Sequence, residues 1–308
     1  MGGYQSAPNT VKSTQEGSSE KLRYAVTGMQ GWRETMEDAH ICEMALDAET
    51  SLFAVLDGHG GKEVSTFVSR HFCTELLRNP NYATGKLETA LSETFLYMDI
   101  MMTRPEGIQE LYKIQQDIPD NYSVQINSIE EMEDLAGTTA CVALIRNNTL
   151  YVANAGDSRC VLMRAGRAID MSVDHKVELP SEQARVRKAG GFIQDGRVNG
   201  QLAITRSIGD FEFKTNPRLP LEGQIITSMP DVKVEQLERE DQFMVLGCDG
   251  IWDVLTSQEC VDYVMEKLDD EDPLQELGEH LCDYCLAEKK DSYGSNDNMT
   301  FILVLFKH

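Results

Sequence analysis

Apolar residues occur in short continuous runs at three places that are far apart in this chain. Each run has the length of a buried strand and carries an aspartate at one end: 52–56 before Asp57, 243–248 before Asp249, and 299–306 after Asp297. In antiparallel neighbours, the C-terminal end of one strand lies beside the N-terminal end of the next. We therefore expect the three carboxylates to meet at one sheet edge.

Other segments show helical periodicity or hairpin signals. Apolar residues recur at helical spacing in 62–77 and 87–102, and a shorter helix is expected at 181–189. A capping-box pattern at 256–259 predicts the start of a helix. Two pairs of strand-like runs, 140–145 with 150–155 and 160–164 with 167–171, are separated by short turns. The pattern predicts packed antiparallel sheets flanked by helices, an α/β fold of the α+β type.

The domain organisation is predicted from the composition of each segment. Residues 1–22 are polar and lack apolar periodicity, so we expect a disordered tail followed by a single domain over 23–308. Residues 99–134 are acidic and weakly periodic, and are interpreted as a partly helical insertion. The first six residues fit the M-G-x-x-x-[ST] acylation pattern, which makes Gly2 a candidate for N-myristoylation. A single acyl chain would give weak, reversible membrane association.

The net charge and the cysteine content limit which binding partners and which cellular compartment are expected. With 28 Lys and Arg against 51 Asp and Glu, the net charge is −23, which argues against nucleic acid as a partner. The eight cysteines lie mostly in apolar stretches, a pattern typical of reduced thiols in a cytoplasmic protein. Cys282 and Cys285 form a lone C-x-x-C; a zinc site is one interpretation, and the apolar face of a helix is the favoured one.

Clustered carboxylates indicate a metal site. Three such groups repel one another unless a cation lies between them. Carboxylate oxygens suit Mg²⁺ or Mn²⁺, so the aspartate runs alone already suggest a metal-dependent hydrolase.

Nine motifs together resemble the Mg²⁺- or Mn²⁺-dependent Ser/Thr protein phosphatases of type 2C, the PPM family. They occur in the family's order between about residues 24 and 306, and are listed here from the N-terminus: Arg33-Glu34-Thr35-Met36-Glu37-Asp38, Asp57-Gly58-His59-Gly60-Gly61, Ala136-Gly137-Thr138-Thr139-Ala140, Asn154-Ala155-Gly156-Asp157-Ser158-Arg159, Asp174-His175-Lys176, 185–191, Thr205-Arg206-Ser207-Ile208-Gly209-Asp210, Cys248-Asp249-Gly250-Ile251-Trp252-Asp253 and Asp297-Asn298-Met299-Thr300. Val177, Thr205 and Ser207 depart from the usual family residues, and none of them is a proposed ligand.

The resemblance implies a four-layer α-β-β-α sandwich with two metal ions at one sheet edge. Asp57 would bridge the ions, Glu37 and the Gly58 carbonyl would complete one, and Asp249 and Asp297 would complete the other. A third, weaker ion would be held by Asp157, Asp249 and Asp253. These roles place carboxylates and waters around ions of the kind that prefer oxygen ligands.

The same resemblance implies how the reaction proceeds and which residues catalyse it. A water activated by the two ions would attack phosphorus directly, with no phospho-enzyme intermediate. Asp38 would orient this water and Arg33 would bind the phosphate group. His59 would protonate the leaving alkoxide. The expected protein is thus a monomeric, cytoplasmic phosphatase of phosphoserine and phosphothreonine in phosphoprotein substrates. A catalytically silent phosphoprotein-binding module and a hydrolase of small phosphate esters are the alternatives.

Overall fold

Two antiparallel sheets pack face to face in the computed structural model, which describes residues 3–122, 124, 126, 136–268, 274–289 and 292–307. The first sheet has six strands, given in their order across the sheet: β1 (Tyr4–Ser18), β2 (Leu22–Arg33), β16 (Met299–Phe306), β15 (Asp241–Gly247), β9 (Arg159–Arg164) and β10 (Arg167–Asp170). The second has five: β14 (Asp231–Gln236), β8 (Thr149–Ala155), β7 (Ala140–Arg146), β4 (Thr50–Leu56) and β3 (Ala39–Glu43).

Helices cover the outer face of each sheet. On the five-stranded side are α1 (Glu63–Arg78), α2 (Pro80–Ala83), α3 (Leu87–Met102) and α4 (Pro105–Gln115). On the six-stranded side are α6 (Asp249–Trp252), α7 (Ser257–Lys267) and α8 (Leu274–Cys285). The molecule therefore has the expected four α-β-β-α layers.

The alternation of side chains along each strand explains this layering. In β4, Phe53 and Val55 join the cluster between the sheets, while their sequence neighbours pack against the first helical layer. In β15, Met244 and Leu246 point between the sheets, and their neighbours pack against α7 and α8. Because both faces of these strands are buried, they read as continuous apolar runs in the sequence.

A smaller unit projects from the sandwich between β10 and β14. It contains α5 (Pro180–Lys188), the hairpin of β11 (Ile193–Gln194) and β12 (Arg197–Val198), and two 3-10 turns at Phe211–Phe213 and Leu221–Gly223. Its own small apolar core is formed by Val177, Val186, Val198, Phe213 and Ile226.

The arrangement of the three aspartate-bearing strands differs from the expectation. β15 and β16 are antiparallel neighbours, as expected, and this brings Asp249 near Asp297. β4, however, lies in the other sheet, between β3 and β7. Asp57 thus reaches the same place from across the sandwich, because the ends of the two packed sheets lie together there.

The expectation of a disordered segment over residues 1–22 was wrong for the part that the structure describes. Residues 4–18 form β1, which pairs with β2 from Ser18↔Arg23 to Tyr4↔Arg33. The polar sequence hides this strand because its stability comes from backbone hydrogen bonds and from polar contacts to α8. Two of these contacts are Lys12–Asp283 and Thr14–Glu279. Gly2 lies outside the described residues.

Several local predictions were confirmed. The helix predicted at 87–102 is α3, and Thr256 and Glu259 form the predicted capping box of α7. Both members of the C-x-x-C pair, Cys282 and Cys285, are buried free thiols on α8, which supports the helix-face interpretation. Within the acidic stretch 99–134, residues 105–115 form α4, and part of the remainder lies outside the described residues. No helix among the described residues is long and apolar enough to span a membrane.

Candidate active site

A small three-stranded sheet positions the first group of site residues. It consists of β5 (Gly58–His59), β6 (Gly137–Thr138) and β13 (Ile208–Gly209), in the order β13-β6-β5. The chain approaches itself so closely here that a Cβ built on Gly58 would lie 2.2 Å from the carbonyl oxygen of Glu37. Only glycine fits such a position, and its backbone carbonyl directly follows Asp57 in the chain.

Carboxylates from four separate parts of the chain meet next to this sheet. Carboxylate oxygens of Asp57, Asp157 and Asp249 all lie within 4.8 Å of one another. A second such group consists of Asp38, Asp57 and the thiol of Cys248. Asp57 belongs to both groups, which is the position expected of a residue that bridges two cations.

The electrostatics of these carboxylates are unfavourable without a counter-charge. Burial raises the pKa of Asp57 well above its usual range, and the negative charges of Asp249 and Asp38 raise it further. The pKa of Asp249 is raised in the same way, by burial and then by Asp157 and Asp297. Groups that resist ionisation this strongly need cations to hold them as carboxylates.

Glu37 and Asp297 border the cluster and are held by other contacts. Glu37 accepts hydrogen bonds from the Thr35 hydroxyl, at 2.7 Å, and from the Gly61 amide, at 3.3 Å. Asp297 forms an ion pair with the guanidinium of Arg33. The charge of Asp297 nevertheless contributes to the pKa shifts of Asp57 and Asp249, so it lies within electrostatic reach of both.

Arg33 retains hydrogen-bonding capacity although it is paired. Its Nε atom is buried and has no hydrogen-bond partner among the described residues. The Tyr4 ring packs against the guanidinium, whose Cζ lies 5.5 Å from the ring centroid. A buried donor without an acceptor is costly, and an anion such as a phosphate group would satisfy it.

Asp38 is a buried carboxyl beside Thr300 and the thiol of Cys248. Oδ2 accepts a hydrogen bond from the Thr300 hydroxyl at 2.7 Å, while Oδ1 has no partner among the described residues. Burial raises the pKa of Asp38 to about 7, helped by the charges of Asp297 and Glu37. Such a group is suited to accept a hydrogen bond from, and exchange a proton with, a water at the cluster.

His59 lies on β5 beside the cluster, and its Nε2 is 2.9 Å from Oδ2 of Asp210. Burial lowers the pKa of His59, but the adjacent Asp210 outweighs this effect and leaves the pKa raised. The histidine is therefore held closer to its protonated form, as an acid catalyst requires.

A lysine lies between two of the residues expected to hold the third ion. Asp157 is close to Asp249, but Asp253 is not part of the close groups. The ammonium of Lys176 lies 3.2 Å from Asp253 and 3.6 Å from Asp157, between the two.

Three residues near the cluster had no role in the sequence interpretation. Asp210 and Lys176 stand in the quoted motifs, but nothing local in the sequence shows that Asp210 contacts His59, 151 positions away. Cys248 reads as an apolar strand residue, yet its sulfur approaches Asp38 and Asp57. Only the tertiary arrangement reveals these contacts.

The donor set fits Mg²⁺ or Mn²⁺. It is dominated by carboxylate oxygens, which these hard cations prefer, and the mutual repulsion of Asp57 and Asp249 would be relieved by divalent charge.

Comparisons with known proteins agree with this geometry. The family model described as Protein phosphatase 2C matches residues 22–299. A probable protein phosphatase 2C 5 of Paramecium tetraurelia is 48% identical over 308 residues, with all of both chains covered. A probable protein phosphatase 2C 11 of Oryza sativa subsp. japonica is 46% identical over 330 residues, covering 100% of this chain and 91% of the rice protein.

A solved structure shares the fold. The crystal structure of a phosphatase from Toxoplasma gondii superimposes with a TM-score of 0.74 over 96% of each chain, at 22% identity. The chain therefore belongs to the protein phosphatase 2C family, a class of metal-dependent protein serine/threonine phosphatases.

Proposed function

We propose that this protein hydrolyses phosphoserine and phosphothreonine in phosphoproteins with two Mg²⁺ or Mn²⁺ ions at the carboxylate cluster. The observation that carries the proposal is the position of Asp57, whose carboxylate oxygens lie within 4.8 Å of those of Asp38 on one side and of Asp249 on the other. Asp57 would bridge the ions, with Glu37 and the Gly58 carbonyl on one and Asp249 and Asp297 on the other. Bound ions of this kind supply charge neutralisation and raise the acidity of a coordinated water.

The side chains around the cluster have separate tasks in this proposal. The free Oδ1 of Asp38 accepts a hydrogen bond from the attacking water and aligns it with phosphorus. The Arg33 guanidinium binds the non-bridging phosphate oxygens, using the Nε donor that otherwise has no partner. His59 gives a proton to the serine or threonine oxygen as the P–O bond breaks, and water attacks directly without a phospho-enzyme.

Phosphate release from a phosphothreonine peptide in Mn²⁺ tests the metal mechanism. Asp57→Ala and Asp249→Ala should each lower turnover by at least about 100-fold, because each removes a ligand of the reacting centre. Asp117→Ala is the matched control, since Asp117 is an exposed partner of Lys62. Undiminished turnover in both cluster variants would refute the proposal.

Two alternatives lead to different measurements. A catalytically silent phosphoprotein-binding module would show no divalent-ion binding by calorimetry at millimolar concentrations, and the retained carboxylates argue against it. A hydrolase of small phosphate esters would turn these over faster than phosphopeptides. The family membership favours the protein phosphatase.

A third, weaker ion at Asp157, with Asp253 and Asp249, is part of the proposal. The carboxylates of Asp157 and Asp249 are close enough to share a cation. Calorimetric titration with Mn²⁺ should resolve a weak additional site that Asp157→Ala removes without loss of the two tighter ones. A titration that fits two sites in both proteins would exclude it.

We further propose that the protein is a cytoplasmic monomer that associates weakly with membranes through N-myristoylation of Gly2. The support is the sequence pattern at residues 1–6 and the absence of any second acylation signal in the neighbouring polar residues. Intact mass of protein expressed in a eukaryotic host tests acylation, light scattering tests the monomer, and fractionation of Gly2→Ala against wild type tests the membrane association. An unmodified Gly2 would rule out the lipid in that host.

A further inference from the structure

A buried carboxylate behind His59 is the most informative contact outside the metal cluster. Oδ2 of Asp210 lies 2.9 Å from Nε2 of His59, and the Asp210 side chain is only 5% exposed. We propose that Asp210 is the positioning residue of the general acid: it fixes the orientation and tautomer of the His59 imidazole. This inference rests on the acid role proposed for His59 above.

The backbone around Asp210 is held in a conformation that serves this contact. Asp210 adopts the left-handed region, with φ 49° and ψ 46°, which is unfavourable for most residues. The preceding Gly209 also has positive φ, and its amide donates to Oδ1 of the buried Asp99 at 2.8 Å. Asp99, on α3, is itself paired with Lys214, and this buried ion pair supports the loop. Such conformations persist only where the surrounding structure enforces them.

A second hydrogen bond fixes the Asp210 carboxylate. The Ser207 hydroxyl donates to Oδ2, the same oxygen that faces His59. Ser207 is fully buried and Asp210 nearly so. The carboxylate therefore cannot rotate away from the imidazole without breaking a bond inside the protein.

Gly137 removes the remaining freedom on the other side. A Cβ at this position would lie 2.2 Å from Oδ2 of Asp210 and 2.5 Å from Nε2 of His59. The imidazole–carboxylate contact thus lies directly over the backbone of β6, where only a glycine leaves room for it. Strands β5 and β6 and the loop after β13 therefore meet at this one contact, and α3 supports the loop through Asp99.

The contact has a chemical consequence for the acid. An ionised carboxylate can only accept hydrogen bonds, so Nε2 of His59 carries a hydrogen toward Asp210. The proton that leaves is then the one on Nδ1 of the imidazolium: it passes to the serine or threonine oxygen as the P–O bond breaks. Neutral imidazole remains, with its hydrogen on Nε2 and still bonded to Asp210. A carboxylate that orients a histidine in this way acts through it without touching the substrate.

Leaving-group dependence tests the proposal. Asp210→Asn keeps the size of the side chain, and asparagine tolerates the left-handed conformation, so the variant should fold. We expect it to lower kcat for a phosphothreonine peptide by about 10-fold or more, with little change in KM. The loss on p-nitrophenyl phosphate should be much smaller, because an aryl leaving group needs little protonation. Equal losses on both substrates would overturn the proposal.

A double-variant comparison separates this inference from the function on which it depends. His59→Ala should slow the peptide far more than the aryl ester, and adding Asp210→Asn to it should cost nothing further. If His59→Ala slows both substrates equally, the acid role itself fails. If His59→Ala behaves as expected but the two losses multiply, the acid role stands and Asp210 acts independently, which refutes the positioning role.

NMR spectra of the histidine side chain and a control variant test the positioning role further. Long-range ¹H–¹⁵N spectra of histidine-labelled protein should show His59 with a hydrogen on Nε2 in the wild type and a changed tautomer balance in Asp210→Asn; unchanged spectra would contradict the proposal. Asp241→Asn is the matched control, because Asp241 is a buried carboxylate bonded to Arg164. It should lower Tm without altering the ratio of peptide to aryl turnover.

Discussion

Nζ of Lys176 lies 3.2 Å from Oδ1 of Asp253, and the same ammonium is 3.6 Å from Oδ2 of Asp157. The lysine charge thus stands between two of the three carboxylates assigned to the weakest metal ion. These acidic neighbours raise the pKa of Lys176 to a value above its usual range, although burial alone would lower it. An ammonium and a divalent cation compete for the same oxygens.

Removal of the Lys176 charge should strengthen the third metal site. In Lys176→Met, Asp157 and Asp253 lose their monovalent counter-ion, so we expect the weak site to bind Mn²⁺ about 3- to 10-fold more tightly. The two tighter sites should change little. Calorimetric titration measures all of them in one experiment.

Lys267→Met is the control for this prediction, because Lys267 pairs with the exposed Glu266 at the end of α7, and neither residue is a proposed ligand. An unchanged weak affinity in Lys176→Met would mean that the lysine and the ion do not compete.

Tyr4 should contribute to phosphate binding through Arg33. The guanidinium lies 5.5 Å from the Tyr4 ring centroid, and the Gln5 side chain donates to the Arg33 carbonyl oxygen. Cation–π contacts at such exposed sites contribute about 0.5–1 kcal/mol, so Tyr4→Ala should raise KM for a phosphopeptide by about 2- to 5-fold. Tyr4→Phe keeps the ring and should behave as wild type. A KM that rises equally in both variants would assign the effect to the hydroxyl.

The sequence predicted the parts of the fold that depend on local pattern. The strands before Asp57 and Asp249 and the strand after Asp297 were recognisable because both faces are buried and the residues are continuously apolar. The assignment of β4 to the opposite sheet was not predictable, because antiparallel pairing and packing across a sandwich can both bring strand ends together. The polar strand β1 was missed, since its pairing with β2 leaves no apolar signal in its own residues.

The candidate site, too, was predictable from the sequence only in part. Its candidate metal ligands stand in motifs with characteristic neighbours, so the resemblance was enough to propose them. The role inferred for Asp210 required the structure, because its partner His59 lies 151 positions away, and the loop that carries it is held by a bond from the Gly209 amide to Asp99 on α3. A sequence motif gives the identity of such a residue but not the atom that it contacts.

The carboxylate cluster should destabilise the metal-free protein. Burial and the charges of Asp249 and Asp38 raise the pKa of Asp57 well above its usual range. Asp57→Asn removes one carboxylate from the cluster and so relieves the repulsion there. In EDTA the substitution should therefore raise the free energy of unfolding by at least about 1 kcal/mol. Mn²⁺ should raise Tm of the wild type much more than Tm of the variant.

The control for this effect is again Asp241→Asn, which should have the opposite sign. Asp241 accepts two hydrogen bonds from Arg164, at 2.7 and 3.0 Å, so its carboxylate is stabilising. If Asp57→Asn also destabilises the protein in EDTA, repulsion within the cluster is not a major cost of the metal-free fold.

Glu182 should make the stability of the projecting unit pH-dependent. Its carboxylate is almost fully buried on α5 and accepts hydrogen bonds from Arg206, at 2.7 and 3.1 Å, and from the Thr205 hydroxyl at 2.8 Å. Burial alone would raise its pKa, but Arg206 and Arg185 outweigh burial and lower the pKa to about 2, from 4.5 in the unfolded chain. The folded state therefore binds the proton less tightly than the unfolded state.

The sign of the effect follows from this depressed pKa. The stabilisation by Glu182 is fully present above pH 4.5, amounts to about 3 kcal/mol at most, and is lost as the pH falls toward 2. We expect the difference in unfolding free energy between wild type and Glu182→Gln to shrink by roughly 2 kcal/mol between pH 6 and pH 3. Urea denaturation at a series of pH values measures it, with the exposed Glu266→Gln as control. A difference that stays constant over this range would show that Glu182 does not titrate between the folded and unfolded states as its contacts require.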